Sequence, residues 1–243
     1  MTKLIINADD FGYSEAVNYG IISAHNNGIV SSTTMMANMP GVEHGVKLLK
    51  ENPSLSCGVH LTISCYKPLL QDLKSIIDEN SNFYRGITNQ LLEKMDLDEV
   101  YREFCAQIEK VKNCGINICH LDSHHHVHTL EGLKPVIEKI LDKYNLPIRG
   151  GFEYKMDYKK VVRLIDTFYK ENVGEDYFIN NIDNIKSYDI SDIMCHPAFL
   201  DDFILNSTSY TTYRTKEHKI LTSNEVKQFL EENNIDITNY RHI

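Results

Sequence analysis

The 243-residue chain is predicted to fold as an α/β domain on a mostly parallel sheet, either open or closed into a barrel. Short apolar runs alternate with amphipathic stretches from end to end. No repeat, low-complexity tract or Pro/Gly-rich linker marks a boundary, and 42% hydrophobic residues suffice for one substantial core. Residues 1–243 are therefore read as a single domain.

The elements follow in order. KLIINA (3–8) is a compact apolar run ending in Asp9-Asp10, the pattern of a buried strand with a polar carboxyl end. Ser14 offers an N-cap to a helix that runs to Gly28, a C′ stop. The β-branched stretch 30–38 predicts the second strand, 41–51 a helix ending before Pro53, and 55–61 a third strand carrying His60 near its end. Residues 62–95 are irregular and suit an insertion or a lid over a site. Asp96 or Asp98 caps an amphipathic helix that stops at Gly115, and ICHLD (118–122) is a strand. Further expectations are a helix at about 130–143, a strand at LPIRG (146–150), a helix at about 158–171 and a strand near 177–180. DIMCH (192–196) is a strand, followed by helices at about 214–220 and 223–234 and a final strand at 237–240.

Charge and cysteine usage narrow the partners. Lysine and arginine number 25 against 34 acids, a net charge of −9, the wrong sign for generic attraction to nucleic acid or an anionic membrane. No apolar stretch is long enough to span a bilayer, and the N-terminus lacks the pattern of a signal peptide. The six cysteines are scattered without a Cys-x-x-Cys pair, so reduced thiols and a cytoplasmic protein are expected.

The chemistry is concentrated at strand ends. Five of the eleven histidines fall in HLDSHHHVH (120–128), and packing gains nothing from such a density of imidazole. Asp9, Asp10, His60, His124 and His196 all sit at or just past strand ends, which in parallel α/β folds share one face. A carboxylate with imidazoles is a divalent-metal ligand set, and three protein ligands leave positions for water and substrate. Asp10, His60 and one cluster histidine form the obvious set. In an extended chain 124 and 126 share a side, whereas in a helical turn 124 and 128 come together, so the residues alone leave the choice open. Asp122 is placed to orient an imidazole. His25, His44, His218 and His242 are assigned to surfaces, loops or the terminus, and Met35-Met36 to the core or the pocket wall. With no tryptophan, Phe11, Tyr13 and Phe199 are candidates to contact a ligand.

NADDFGYSEAVNYGI, GIVSSTTMMAN, GVHLTIS, HLDSHHHVH and CHPAF, in this order, resemble the YdjC-like carbohydrate deacetylases, which include chitooligosaccharide deacetylases. The resemblance covers nearly the whole chain. It implies a TIM-barrel-like barrel, a divalent metal that is magnesium by the family's description, with zinc or another ion as alternatives, and a homodimer. It further implies Asp10, His60 and His124 as metal ligands, Asp9 as general base and His196 as general acid. The substrate would be an N-acetylated amino sugar or chitooligosaccharide such as diacetylchitobiose, and the products acetate and a free amine. Residues 65–95 match no fixed family pattern, so they bear on substrate choice. A metal-dependent phosphoesterase is the enzymatic alternative, because His124, His126 and His128 spell His-x-His-x-His. A metal-buffering or sugar-binding protein is the non-enzymatic one.

Overall fold

The computed structural model describes residues 2–243. Its strands are β1 (Thr2–Phe11), β2 (Ser32–Met35), β3 (Ser56–Leu61), β4 (Ile118–Ser123), β5 (Ile148–Arg149), β6 (Val161–Ile165), β7 (Ile190–Cys195) and β8 (Ile235–Thr238). All named pairings are parallel, and the ring β1-β2-β3-β4-β5-β6-β7 closes back on β1. The eighth strand stays outside that ring. β8 pairs with Thr2–Ile5 of β1, while β2 takes the upper part of the same edge from Asn7 onward. The protein is thus a closed seven-stranded α/β barrel, TIM-barrel-like with one strand held out. Closure leaves no free sheet edge in the ring.

The helices are α1 (Glu15–Asn26), α2 (Val42–Glu51), α3 (Asn89–Leu92), α4 (Leu97–Asn113), α5 (Lys134–Tyr144), α6 (Tyr177–Asn180), α7 (Ile182–Lys186), α8 (Asp202–Ser207), α9 (Thr212–Leu221) and α10 (Asn224–Glu232). The Ser14 hydroxyl accepts from Val17 N at 3.3 Å, and of the two candidate caps it is Asp96 that holds α4, accepting from Asp98 N at 2.9 Å. Gly115 follows α4 with φ +81°, the left-handed stop that its position suggested. No helix of the described residues is long and apolar enough to cross a membrane, and the cysteines are free.

Two elements differ from expectation. The stretch 158–171, expected as a helix, contains strand β6, and 177–180, expected as a strand, is the one-turn helix α6. Apolar runs this short carry no decisive period, so the sheet decides: β-branched Val161, Val162 and Ile165 fill the gap between β5 and β7. β2 and β5 are also shorter than expected, and β8 begins two residues earlier.

The segment 62–95 lies over the barrel mouth with one antiparallel bridge, Ile77–Phe83, and helix α3. Two buried carboxylates of α4 pin it. Glu99 accepts from the backbone N–H of Lys74 and Ser75 at 3.0 and 2.7 Å, and Glu103 from Leu69 and Leu70 at 3.0 and 3.1 Å.

Candidate functional site

The carboxyl ends of the strands open into a cavity of about 920 Å³ lined by Asp9, Asp10, His60, His124 and His196, among others. Adjacent side chains in a strand normally face opposite ways. Here the β1–β2 register shifts between Ala8 and Phe11, and Asp10 takes φ +69°, so that both carboxylates line the cavity. Aspartate tolerates this left-handed conformation better than most residues.

Asp10 Oδ1 lies 2.9 Å from His124 Nδ1 and 3.4 Å from His60 Nε2. These three donors form one group that could hold a metal ion; Asp9, His60 and Asp122 form a second, overlapping one. His60 and Asp122 are register partners on β3 and β4, and His60 Nδ1 is 2.7 Å from Asp122 Oδ1. With that nitrogen carrying the proton, Nε2 presents its lone pair toward Asp10, the arrangement a metal-binding imidazole needs. The donor set therefore fits a divalent ion.

The histidine cluster adopts neither of the two regular geometries considered for it. His125 and His126 both lie in the left-handed region, at φ 54° and 53°, and the His124 and His125 rings lie against each other at a centroid distance of 4.0 Å. His125 Nδ1 meets the Ser64 hydroxyl at 3.0 Å, and His126 lines the cavity. His128 is buried between Ser123 and the Arg149 carbonyl. The His-x-His-x-His spelling does not form a ligand set among the described residues, which removes the motif that suggested a phosphoesterase.

Two arginines that the sequence reading had not placed here underlie the site. Arg149 is fully buried and reaches across the barrel floor. Its guanidinium forks both oxygens of Asp9 at 2.7 Å and also bonds Asp122 and Asp192, each at 2.8 Å. Arg149 ends its strand like the residues that were identified, so the same positional rule could have found it. Arg214 of α9 donates to Asp10 Oδ2 at 2.7 Å, leaving Oδ1 to face the histidines; nothing in its local sequence signals that contact.

The electrostatics follow from this burial. Burial alone would raise the pKa of Asp9 and Asp10, but Arg149 holds Asp9 below the ordinary value, and Arg214 with His124 holds Asp10 well below it. Burial opposes a charge on His60, yet Asp122 and Asp9 push its pKa to about 10. Asp9, Asp10, Asp122 and Asp192 face the guanidinium groups of Arg149 and Arg214, and in the absence of a metal the His60 imidazole contributes a further positive charge. At Asp192 burial prevails and lifts the pKa to about 6, although Arg149 and the Tyr240 hydroxyl both bond it.

His196 follows β7 and lines the cavity. Its backbone N–H donates to the buried Glu217 carboxylate, which also accepts from the Tyr210 hydroxyl. The ring sits between Tyr169 and Tyr210, at centroid distances of 5.6 and 5.4 Å, with Nδ1 buried 3.8 Å from Glu217 Oε1. Of the aromatic candidates only Tyr13 lines the cavity. Phe11 is buried against Gly45, and Phe199 packs outside on His218. The cavity wall instead takes rings such as Tyr66, Tyr84 and Tyr169 from loops and Phe203 from the short helix α8, whose positions periodicity does not reveal.

With this geometry in place, comparison with known proteins decides the family. The YdjC-like protein family matches residues 3–232. The chain belongs to it. This YdjC-like protein is 41% identical over 246 residues to a carbohydrate deacetylase of Clostridium beijerinckii, covering 99% of this chain and all of that one. It is 44% identical over 225 residues to a carbohydrate deacetylase of Halalkalibacterium halodurans, covering 90% and 95% of the two chains. The crystal structure of an Enterococcus faecalis protein named for cellobiose-phosphate cleavage superposes with a TM-score of 0.92 at 35% identity, covering 99% and 98%.

Stability of this YdjC-like barrel should depend on pH in a way set by its buried imidazoles. His120 and His128 are fully buried, and burial pulls both pKa values to about 3, so they stay neutral in the fold while the unfolded chain binds their protons below about 6.5. Unfolding below that pH takes up protons, and stability falls as pH drops. Asp192 opposes this, but only from about pH 6 downward and with one group against two. His60, with its folded pKa near 10, adds stability that is complete below about pH 6.5 and lost as pH rises through 10. Chelator-treated protein is expected to show its highest Tm near pH 6.5, with melts declining toward pH 5 and toward pH 10. A Tm that stays level from 6.5 to 5 would mean that these imidazoles are already charged in the fold.

Proposed function

We propose that the protein is a metal-dependent hydrolase that removes the N-acetyl group from an amino sugar or short chitooligosaccharide, releasing acetate and a free amine. The observation that carries this reading is the convergence, in one cavity, of the donors of Asp10, His60 and His124 with a separate carboxylate, Asp9, and a separate imidazole, His196. The carbohydrate deacetylase name borne by full-length relatives supports the substrate class.

Asp10 Oδ1, His60 Nε2 and His124 Nδ1 would hold a divalent ion. When bound, that ion supplies Lewis-acid polarisation of the acetyl carbonyl and lowers the pKa of a water molecule. Arg149 keeps Asp9 ionised, so that a carboxylate oxygen is available to take the proton of the attacking water. Asp122 holds the Nδ1 proton of His60 and fixes that ring. Once the carbonyl carbon has become tetrahedral, its bond to nitrogen breaks only if the nitrogen is protonated, because an amide anion is too basic to leave. His196 donates that proton from Nε2, its Nδ1 being buried toward Glu217. Acetate keeps the oxygen from water, and the sugar keeps the amine.

Magnesium is the ion the family resemblance implies, whereas two imidazoles among three donors also suit a softer ion such as zinc. The test is acetate release from N,N′-diacetylchitobiose with added magnesium or zinc, and with a chelator control. Chelator-sensitive release is expected; no release with either ion would remove the proposal. His60→Ala and His124→Ala are expected to lose bound metal, by metal analysis after gel filtration, together with activity. Full metal occupancy in either variant would strike that residue from the ligand set.

A further inference from the structure

Tyr66 combines three features that folding alone does not reward. It lies in the loop after β3 with φ +65°, a conformation disfavoured for a bulky side chain; the residue is 43% exposed; and it lines the cavity that holds the candidate site. The backbone on both sides is held in place. The Asn38 side-chain amide donates to the carbonyls of Cys65 and Lys67, at 2.9 and 3.0 Å, bracketing Tyr66, while Phe83 N–H donates to the Tyr66 carbonyl at 2.9 Å. The Glu103 carboxylate anchors the loop a few residues on, at Leu69 and Leu70. Strained backbone that its surroundings over-determine is characteristic of ligand contacts.

A chain of contacts relates the ring to the chemistry. Tyr66 meets Phe203 edge-on at 6.3 Å, Phe203 meets Tyr13 at 5.6 Å, and the Tyr13 ring lies 5.9 Å from the Arg214 guanidinium that binds Asp10. Two rings and a guanidinium therefore separate Tyr66 from Asp10. The ring thus borders the site through intervening side chains rather than by a contact with Asp10, a position that suits a sugar unit beside the one whose acetyl group is hydrolysed. The C–H face of a pyranose is apolar and packs on an aromatic face, and an exposed ring with its orientation already set needs little ordering on binding.

We propose that Tyr66 is a stacking platform for the sugar unit next to the one deacetylated, which makes the site selective for an oligosaccharide over a single amino sugar. This rests on the deacetylase reading above. The chain contains no tryptophan, so Tyr66→Trp places a sole indole reporter at the platform. Titration of that variant with N,N′-diacetylchitobiose is expected to give a saturable change in emission, at concentrations where N-acetylglucosamine gives little. In turnover, Tyr66→Ala should raise KM for the disaccharide about tenfold, with a much smaller change in kcat, while Tyr66→Phe keeps the wild-type KM.

Tyr66→Gly removes the ring and also relieves the left-handed strain. A KM raised equally in the Gly and Ala variants supports stacking, whereas a normal KM in the Gly variant would assign the effect to the backbone and overturn it. The two proposals fail separately. Acetate release alongside a silent indole and an unchanged KM in Tyr66→Ala overturns the platform and leaves the reaction. A saturable indole response without acetate release upholds the sugar platform and removes the reaction, and silence in both assays overturns both.

Discussion

Asp9→Asn is expected to lower kcat by about 10²- to 10⁴-fold while metal content and fold remain those of the wild type. The substitution keeps the size of the side chain and its Oδ1, so Arg149 Nη2 and Asn7 retain an acceptor, while the bond from Arg149 Nη1 to Oδ2 is lost. It removes the basic oxygen that takes a proton from water in the proposed reaction. The neighbouring Asp10 is not the base in this reading, because its Oδ1, facing His60 and His124, is assigned to the metal and its Oδ2 is bonded by Arg214. The measurement pairs steady-state acetate release with metal analysis and a thermal melt of the same sample. Near-normal turnover would take Asp9 out of the base role; lost metal would make it a ligand, consistent with the second donor group of Asp9, His60 and Asp122.

Arg149→Met should show the largest loss of stability. One fully buried guanidinium contacts Asp9, Asp122 and Asp192, and a hydrophobic replacement leaves three buried carboxylates without that partner. Breaking a buried ion pair from one side typically costs about 3–5 kcal/mol, which for a chain of this size corresponds to a Tm lower by roughly 6–20 °C. Arg149→Lys keeps the charge but not the planar fork, so an intermediate loss is expected. Adding Asp192→Asn to Arg149→Met removes one of the stranded carboxylates and should recover part of the Tm. An Arg149→Met variant that melts with the wild type would show that the carboxylates are protonated or hydrated in the fold, and that Arg149 does not hold Asp9 ionised.

The two variants probe the same device from opposite ends. Asp9 must be ionised to accept a proton, and burial opposes ionisation; the guanidinium that overcomes that opposition also ties β5 to β1, β4 and β7 across the barrel floor. Stability and the availability of a base are thus coupled through one residue.

Much of this site was legible in the sequence, for a physical reason. Parallel strands send their carboxyl ends to one face, so polar residues at the ends of apolar runs point to Asp9, Asp10, His60, His196 and the histidine cluster at 124–128 without knowledge of the packing. The alternation of elements likewise specified an α/β sheet, and Ser14, Asp96 and Gly115 marked helix ends through local hydrogen bonding and backbone freedom. What the tertiary structure alone decided depends on contacts distant in sequence or on rare local conformations. Closure of the ring required β1 to take β7 on one edge and β2 above β8 on the other. The identity of β6 came from the gap it fills, since a short apolar run has no decisive period of its own. The residues of the histidine cluster left His124 undistinguished, and only the family resemblance singled it out. In the fold, two consecutive left-handed residues turn the cluster so that His124 reaches Asp10 while His128 is buried elsewhere. Arg214 lies 204 residues from its partner Asp10, and Arg149 lies 140 from Asp9. Local pattern carries no information across such separations; the closed barrel supplies it by bringing the strand ends together.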